Sequence, residues 1–209
     1  ETYHGRIIFA SSCSVYGISD GIADEDTELH PVSIYAETKI NAEKYLSGKA
    51  AILRFGTIHG VSNRMRFDLG VNGMAMAASK YGEFTVFGGK QNRPWLSIKD
   101  ATSLIYNLIF RNPGVTGTFN VATQNETVDE VARIIQLTIP GSLVRYENIE
   151  YEDKRNYRVS CKRLFSKVSD YSFQHVISDS VSDIDLLVKS GRIGNLKSPL
   201  FRNVAALQV

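Results

Sequence analysis

The stretch that most restricts this chain is residues 7–39, IIFASSCSVYGISDGIADEDTELHPVSIYAETK. It opens with an apolar run, Ile7 to Ala10, that ends in a small hydroxyl-rich turn, Ser11-Ser12-Cys13-Ser14, followed by Val15-Tyr16-Gly17. A continuous apolar run bounded by turn residues suits a buried parallel strand, here over residues 6–10. A polar segment then leads to Pro31-Val32-Ser33-Ile34-Tyr35-Ala36-Glu37-Thr38-Lys39. A helix starting near Ile34 and running to Leu46 projects Tyr35 and Lys39 from one face, because residues four apart are neighbours on a helix. A phenol with a reference pKa of about 10 is a poor base at neutral pH. An ammonium held beside it favours the phenolate and brings it toward the working range. A serine hydroxyl at the preceding strand end can hydrogen-bond the same substrate oxygen. The combination describes a proton-transfer site for an alcohol/ketone centre, although the spacing alone is common and recurs at Tyr45 and Lys49.

The rest of the sequence narrows the class mainly by exclusion. At 209 residues the chain is long enough for one sizeable core or two small lobes. A net charge of +2, with no polybasic tract, argues against a nucleic-acid polymer as partner. Cys13 and Cys161 are too few for a disulfide framework and lack zinc-ligand spacing, so no metal is expected. No apolar run approaches a membrane span, no signal-peptide pattern is present, and a cytoplasmic location is the default expectation. Residues 18–33, with Asp20, Asp24, Glu25, Asp26 and Glu28, read as a solvated acidic loop rather than a cation site.

Downstream, Ala51–Phe55 reads as a second buried strand, leading into Gly56-Thr57-Ile58-His59-Gly60. Residues 61–70 form a polar loop with Arg64 and Arg66, and Val71 to Tyr81 reads as a helix. Glu83–Phe87 reads as a strand, and Asp100 as the N-cap of a helix over 100–111 with Leu104, Ile105, Leu108 and Ile109 inward. A short strand follows at Thr118–Ala122, and Thr127-Val128-Asp129-Glu130 is a capping-box sequence opening a helix toward Pro140-Gly141. Residues 143–151 alternate weakly as a strand, and Ser180–Lys189 forms a last amphipathic helix.

The order strand, SSCSVYG, loop, Pro31, Ser33, Tyr35, Lys39 resembles the extended short-chain dehydrogenase/reductase family of nucleotide-sugar epimerases, dehydratases and reductases. Later segments resemble it too: Leu53-Arg54-Phe55 with Thr57 in the place of a common asparagine, FGG…Arg93…Asp100, and Asp153–Ser160 with Arg155. The resemblance covers Ile7 to about Gly191. It implies an α/β fold in which a Rossmann-like parallel sheet, represented by its C-terminal part only, carries a smaller α+β substrate-binding lobe. Residues 1–60 would be the back part of the NAD-binding domain, with helix 100–111 packed against it. Residues 61–175 would be mainly the substrate-binding lobe, and 176–209 a C-terminal helix and tail.

The resemblance further implies NAD as cofactor (NADP stays open) and a nucleotide sugar as substrate. Ser12, Tyr35 and Lys39 would be catalytic, with Ser11 and Ser14 as alternatives for the hydroxyl. Ser11, Tyr35, Lys39, Phe55 and Gly56 would contact the cofactor. Ser12, Thr57, Arg66, Asn72, Arg93 and Arg155 would contact the substrate, with Arg158 competing with Arg155. A guanidinium suits a diphosphate because its planar fork meets two oxygens at once. His59 reads as a packing residue. The family's 4,6-dehydratases follow the catalytic hydroxyl with an acidic pair, and here those positions are Cys13 and Ser14. Isomerisation at C4 of a UDP-sugar is therefore the leading expectation, with a reductase or dehydratase of the same family as the alternative. A non-catalytic binding relative or an inactive fragment is the alternative from another class. The chain begins at Glu1 and contains no Gly-x-x-Gly-x-x-Gly turn, so it is expected to be the back two-thirds of a longer protein. The helix after Tyr35 ends early at Ser47-Gly48, which argues against the homodimer that many relatives form through it.

Overall fold

The computed structural model describes residues 5–147, 155–193, 198 and 201. In chain order its elements are β1 (Ile7–Ser12), a 3-10 turn (Cys13–Tyr16), β2 (Ile18–Ala23), α1 (Ile34–Leu46), β3 (Ala50–Phe55), β4 (Thr57–His59), α2 (Gly70–Tyr81), β5 (Glu83–Phe87) and β6 (Asn92–Ser97). There follow α3 (Ile98–Phe110), β7 (Gly117–Val121), β8 (Gln124–Thr127), α4 (Val128–Thr138), β9 (Leu143–Glu147), β10 (Asn156–Val159), α5 (Lys162–Lys167) and α6 (Ile177–Lys189). The chain divides into two compact units.

The first unit comprises Glu1–Ile58, Asn92–Asn125 and Lys154–Gln174. Its main sheet has the order β1-β3-β7 and is parallel throughout, with Ala10 opposite Leu53 and Leu53 opposite Phe119. Parallel neighbours need a crossover between them, and α1 supplies it from β1 to β3. All six residues of β3 are buried, so the strand shows no alternation between faces. That is the pattern of a central parallel strand covered on both sides. Leu53, Phe55, Phe119 and Val121 of the sheet pack with Leu104 and Leu108 of α3 and with Leu164 and Val168. A second cluster gathers Cys13, Val15, Tyr16, Ala23, Ile40, Ala122, Tyr157 and Val159. Each large apolar side chain fully buried this way contributes about 1.5–3 kcal/mol. Along its other edge β1 has no partner strand among the described residues.

The second unit comprises His59–Gln91, Glu126–Asp153 and His175–Val209. Here β5 pairs in parallel with β9, Phe84 opposite Val144. Helices α2, α4 and α6 bury Val71, Ala75, Val131, Ile135, Ile177, Val181 and Ile184. The Thr127–Glu130 capping box is formed, with the Thr127 amide and hydroxyl both donating to the Glu130 carboxylate.

Several expectations from sequence need adjustment. The acidic stretch after Tyr16 is not simply a solvated loop: its first part is β2, which pairs in parallel with β10. Alternation there was masked by Asp and Gly residues, and the partner lies far along the chain. Helix α3 is capped by Ser97, whose hydroxyl accepts from the Lys99 amide, rather than by Asp100. Asp100 is instead buried, its Oδ1 accepting from the Gln174 amide. Helix α6 begins at Ile177, three residues before the expected Ser180. The sequence cuts at 60 and 175 differ from the contact-based units, which place 92–125 and 154–174 with the first 58 residues. The reason is that α3, α5, β7 and β10 all bury their apolar side chains in the first unit's two clusters. Of the expected strand 143–151 and segment 153–160, residues 148–154 lie outside the described residues, as does most of the tail from 194 onward.

Both cysteines sit in or against the second cluster. Burial pushes the Cys161 thiol up to about 11, against a hydrogen bond from the Ala122 amide that pulls the other way. Burial likewise raises Cys13, whose thiol donates to the Arg54 carbonyl at 3.0 Å. A folded-state pKa above the unfolded value means that the unfolded chain loses its proton first as pH rises. This contribution to stability is thus complete below the unfolded thiol pKa of about 8.5. It is lost as pH climbs through about 11 for Cys161. Urea midpoints measured from neutral pH to strongly alkaline pH should fall across this window, and a Cys161→Ala variant should show a shallower fall. Equal slopes for the two proteins would remove the buried thiol as the cause.

Candidate active site

The site is assembled from the turn after β1 and the first turns of α1. Ser12 ends β1 in extended conformation, and its Oγ accepts from the Ser14 amide at 3.2 Å, capping the 3-10 turn. That turn closes on Gly17, which adopts φ +61°, a conformation costly for any residue with a Cβ. A Cβ at Gly17 would also lie 1.8 Å from the His30 carbonyl oxygen. The glycine therefore lets the returning segment lie directly on the turn, just before Ser33 caps α1 by accepting from the Ala36 amide at 3.2 Å.

On α1, Tyr35 and Lys39 stand one turn apart as the spacing requires. The Lys39 ammonium donates to the Ala10 carbonyl at 2.8 Å and lies 5.4 Å from the Tyr35 ring centroid and 5.0 Å from that of Phe9. Tyr35 is 54 % exposed, so its phenol is open to a ligand. The pair thus sits beside the carboxyl end of β1, two residues short of Ser12. Carboxyl ends of parallel strands are where open α/β sheets bind ligands. By contrast, Tyr45 and Lys49, which repeat the spacing, contact one another at 5.0 Å at the exposed end of α1, next to the amino rather than the carboxyl end of a strand, since β3 starts at Ala50.

The neighbouring serines take different roles. Ser11 is buried, and its hydroxyl donates to the Glu43 carboxylate. Only its backbone is left to face a cofactor. Ser14 is buried as well, in the turn. Ser12 keeps the partly exposed hydroxyl of the three.

Beneath the site runs a buried polar network that the sequence reading did not anticipate. Glu43 and Arg54 form a bidentate ion pair, Nη2 to Oε2 at 2.7 Å and Nε to Oε1 at 3.1 Å, with side chains 8 % and 6 % exposed. Arg54 Nη1 also donates to the Tyr16 hydroxyl at 2.8 Å. The Tyr16 hydroxyl in turn donates to Asn120 Oδ1 at 2.7 Å or to the Asp24 carbonyl at 2.9 Å. Burial alone would pull the Arg54 guanidinium down, but the Glu43 hydrogen bonds and the Tyr16 oxygen outweigh it and hold the charge firmly. Burial pushes the Tyr16 phenol well up, against the opposing pull of Arg54, so it stays a neutral hydrogen-bonding group. Glu25, from the acidic stretch, is buried and accepts from the Asn120 amide at 2.7 Å while pairing with Arg163 at 3.4 Å. One signal for the network was visible: Glu43 follows Lys39 by four residues on the same helix row.

The remaining expected residues divide between the two units. Phe55 is buried at the end of β3. Gly56 donates its amide to the Val121 carbonyl at 2.9 Å, and a Cβ there would stand 2.8 Å from the Pro94 carbonyl oxygen, which is why no side chain is present. Thr57 begins β4 and is partly buried. Arg93, on β6, is buried over the Tyr157 ring and donates to the carbonyls of Asn92 and Arg155, which brings these two arginines together in the first unit. Arg158, on β10, is exposed. Arg66 and Asn72 belong to the second unit. Arg66 is held by Asp68 at 2.7 Å. Asn72 is buried, its Oδ1 accepting from the Gly60 amide at 2.9 Å, a bond that fixes the turn after β4. His59 is buried, as a packing role requires. Among the described residues no group of acidic, histidine and cysteine side chains is placed to hold a metal ion, and no helix is long and apolar enough to cross a membrane.

Comparison with known proteins places the chain in a family. The chain is 24 % identical over 205 residues to an ADP-L-glycero-D-manno-heptose-6-epimerase of Brachyspira hyodysenteriae, covering 89 % of this chain and 64 % of that one. It is 30 % identical over 156 residues to an uncharacterized UDP-glucose epimerase of Bacillus subtilis, covering 70 % of this chain and 48 % of the relative. The structure of TunA, an NAD-dependent NDP-hexosamine 5,6-dehydratase involved in tunicamycin biosynthesis, superposes with a TM-score of 0.76 at 23 % identity over 88 % of this chain and 63 % of that one. The chain thus spans between about half and two thirds of the length of these proteins. Residues 1–122 match the family model described as the NAD dependent epimerase/dehydratase family. With the strand-end serine turn and the Tyr35/Lys39 helix inside the matched region, the chain belongs to the NAD dependent epimerase/dehydratase family.

Proposed function

We propose that this chain supplies the catalytic residues and part of the substrate site of an NAD-dependent nucleotide-sugar epimerase that inverts C4 of a UDP-sugar. The observation that carries the reading is the exposed Tyr35 phenol with the Lys39 ammonium beside it at the end of β1. A cation near a phenol stabilises the phenolate that base catalysis needs. The donor set also suits the cofactor: an ammonium and a phenol at the carboxyl end of a parallel strand can bond the hydroxyls of a nicotinamide ribose. Tyr35, Lys39, the Ser11 backbone, Phe55 and Gly56 would border it. When bound, NAD supplies a hydride acceptor for the sugar carbon and returns the hydride later.

In this reading the Tyr35 phenolate accepts the proton of the sugar hydroxyl, Ser12 hydrogen-bonds the same oxygen, and Lys39 stays beside the Tyr35 ring. The proton returns from Tyr35 to the oxygen after the sugar has presented its other face. Arg93 and Arg155 would lie by the substrate diphosphate, and Thr57 of the same unit by the rest of it. Arg93 is already engaged with backbone groups, which suits it to shaping the pocket wall as much as to direct contact.

The turn supports epimerisation over dehydration. Elimination of water needs an acid beside the oxidised sugar, and the two residues after Ser12 are Cys13 and Ser14, both buried. Burial raises the Cys13 thiol further, away from any acid role at neutral pH. Epimerisation needs no group beyond the Ser12, Tyr35 and Lys39 set.

With NAD and a panel of nucleotide sugars, the complete protein should interconvert a pair of UDP-sugars that differ at C4, followed by chromatography of the products. Formation of a dehydrated 4-keto sugar instead would replace epimerase by dehydratase, and no conversion of any sugar would remove the enzymatic reading. In the same protein a Tyr35→Phe change should lower kcat by about 10²–10⁴-fold, the usual contribution of a positioned base. Unaltered turnover in that variant would transfer the base role to another group.

A further inference from the structure

Tyr35, Lys39 and Glu43 form a single row along α1, each one turn after the last. Of the thirteen residues of this helix, only Ala36, Ile40 and Glu43 are buried. A methyl group and one aliphatic side chain leave the rotation of a helix about its axis loosely defined, because apolar contact has no direction. A carboxylate bonded at both oxygens is directional. Glu43 accepts from Ser11 on β1 and from Nε and Nη2 of Arg54 on β3. Arg54 is itself fixed by the Tyr16 hydroxyl, and Tyr16 by Asn120 on β7. The anion therefore ties the helix that carries Tyr35 and Lys39 to the residue immediately before Ser12.

We infer that Glu43, acting with Arg54, is a positioning residue that sets the rotation of α1, and with it the placement of Tyr35 and Lys39 against Ser12. The inference rests on the catalytic reading proposed above for those three residues. It separates placement from stability. Replacing a buried ion pair by apolar groups of similar volume is often neutral for folding, whereas its directional bonds are lost. A merely structural Glu43 would be fully replaced by good packing; a positioning Glu43 would not.

The test is the triple variant Ser11→Ala/Glu43→Leu/Arg54→Met, which removes the bonded groups together and leaves Tyr16 its bonds to Asn120 and Asp24. Thermal unfolding should stay close to that of the unaltered chain. The Lys39 ammonium lies by the rings of Phe9 and Tyr35, so the proton resonances of the ε-methylene bonded to it report helix placement by ring-current shift. In the triple variant they should move toward the values of free lysine. In the complete protein with NAD, kcat should fall on the order of 10²-fold, the cost of misplacing reacting groups by about 1 Å, with KM for the nucleotide sugar unchanged. A folded triple variant with native Lys39 resonances would overturn the inference, as would one with native kcat. Should the triple variant not fold, Glu43→Asp keeps the charge and shortens the reach. It should shift the same Lys39 resonances, and their failure to move would equally overturn the inference. If the unaltered protein turns over no nucleotide sugar, the catalytic reading fails while the Lys39 resonances still decide the placement.

Discussion

The bond on which the rest of the first unit depends is the buried ion pair between Arg54 and Glu43. Arg54 lies mid-sheet on β3, a strand with no exposed residue, and its charge would be prohibitive there without a partner. Glu43 answers it from α1, Tyr16 from the turn after β1, and Asn120 extends the contact through Tyr16 to β7. All three strands of the parallel sheet and the helix that crosses between two of them meet at this cluster. Removing one partner alone would leave an uncompensated buried charge, a loss of about 3–5 kcal/mol. The apolar clusters on either side supply the bulk of the stabilisation, but they do not choose a direction. The ion pair does.

The chemistry is arranged on top of this frame. Strand β1 turns Ser11 inward to Glu43 and leaves Ser12 partly exposed on its other side, an alternation built into any strand. Gly17 allows the chain to fold back over the turn, and Ser33 starts α1 so that Tyr35 falls in its first turn. The Lys39 ammonium is then fastened to the Ala10 carbonyl, one strand position before Ser11. Proton transfer needs groups within hydrogen-bond reach of one oxygen, and in the proposed reading the phenol, the cation and the hydroxyl are the groups this frame would bring to it. The acidic stretch that follows the turn contributes to the same frame, since Glu25 caps the Asn120 amide and meets Arg163.

Much of this was readable from residue order because the relevant signals are local. The parallel strand at Ile7, the Tyr35–Lys39 spacing and the Thr127–Glu130 box each lie within a few residues, and each forms. Strand β1 is not, however, the buried strand expected: Ile7–Phe9 are partly buried and Ala10 is exposed, since one edge of β1 has no partner strand among the described residues. What escaped was non-local. Strand β2 is short and polar, and its partner β10 follows more than a hundred residues later, so no periodicity betrays it. Arg54 stood out only through the family resemblance and Glu43 not at all, because sequence does not reveal that both are buried. Asp100 resembled a cap because it precedes an apolar face, yet Ser97 does the capping and Asp100 holds the Gln174 amide. Arg93 and Asn72 follow from the family resemblance, and their engagement with backbone groups became visible only in three dimensions.

In the proposed mechanism a hydride leaves a sugar carbon and returns to the same carbon while Tyr35 holds the proton. The most direct test is to give the complete protein, with NAD, a UDP-sugar carrying deuterium at C4 and to analyse the inverted product by mass spectrometry and NMR. The account predicts that the product keeps its deuterium at the inverted carbon. Loss of the label to solvent would show inversion by carbon deprotonation and would contradict it.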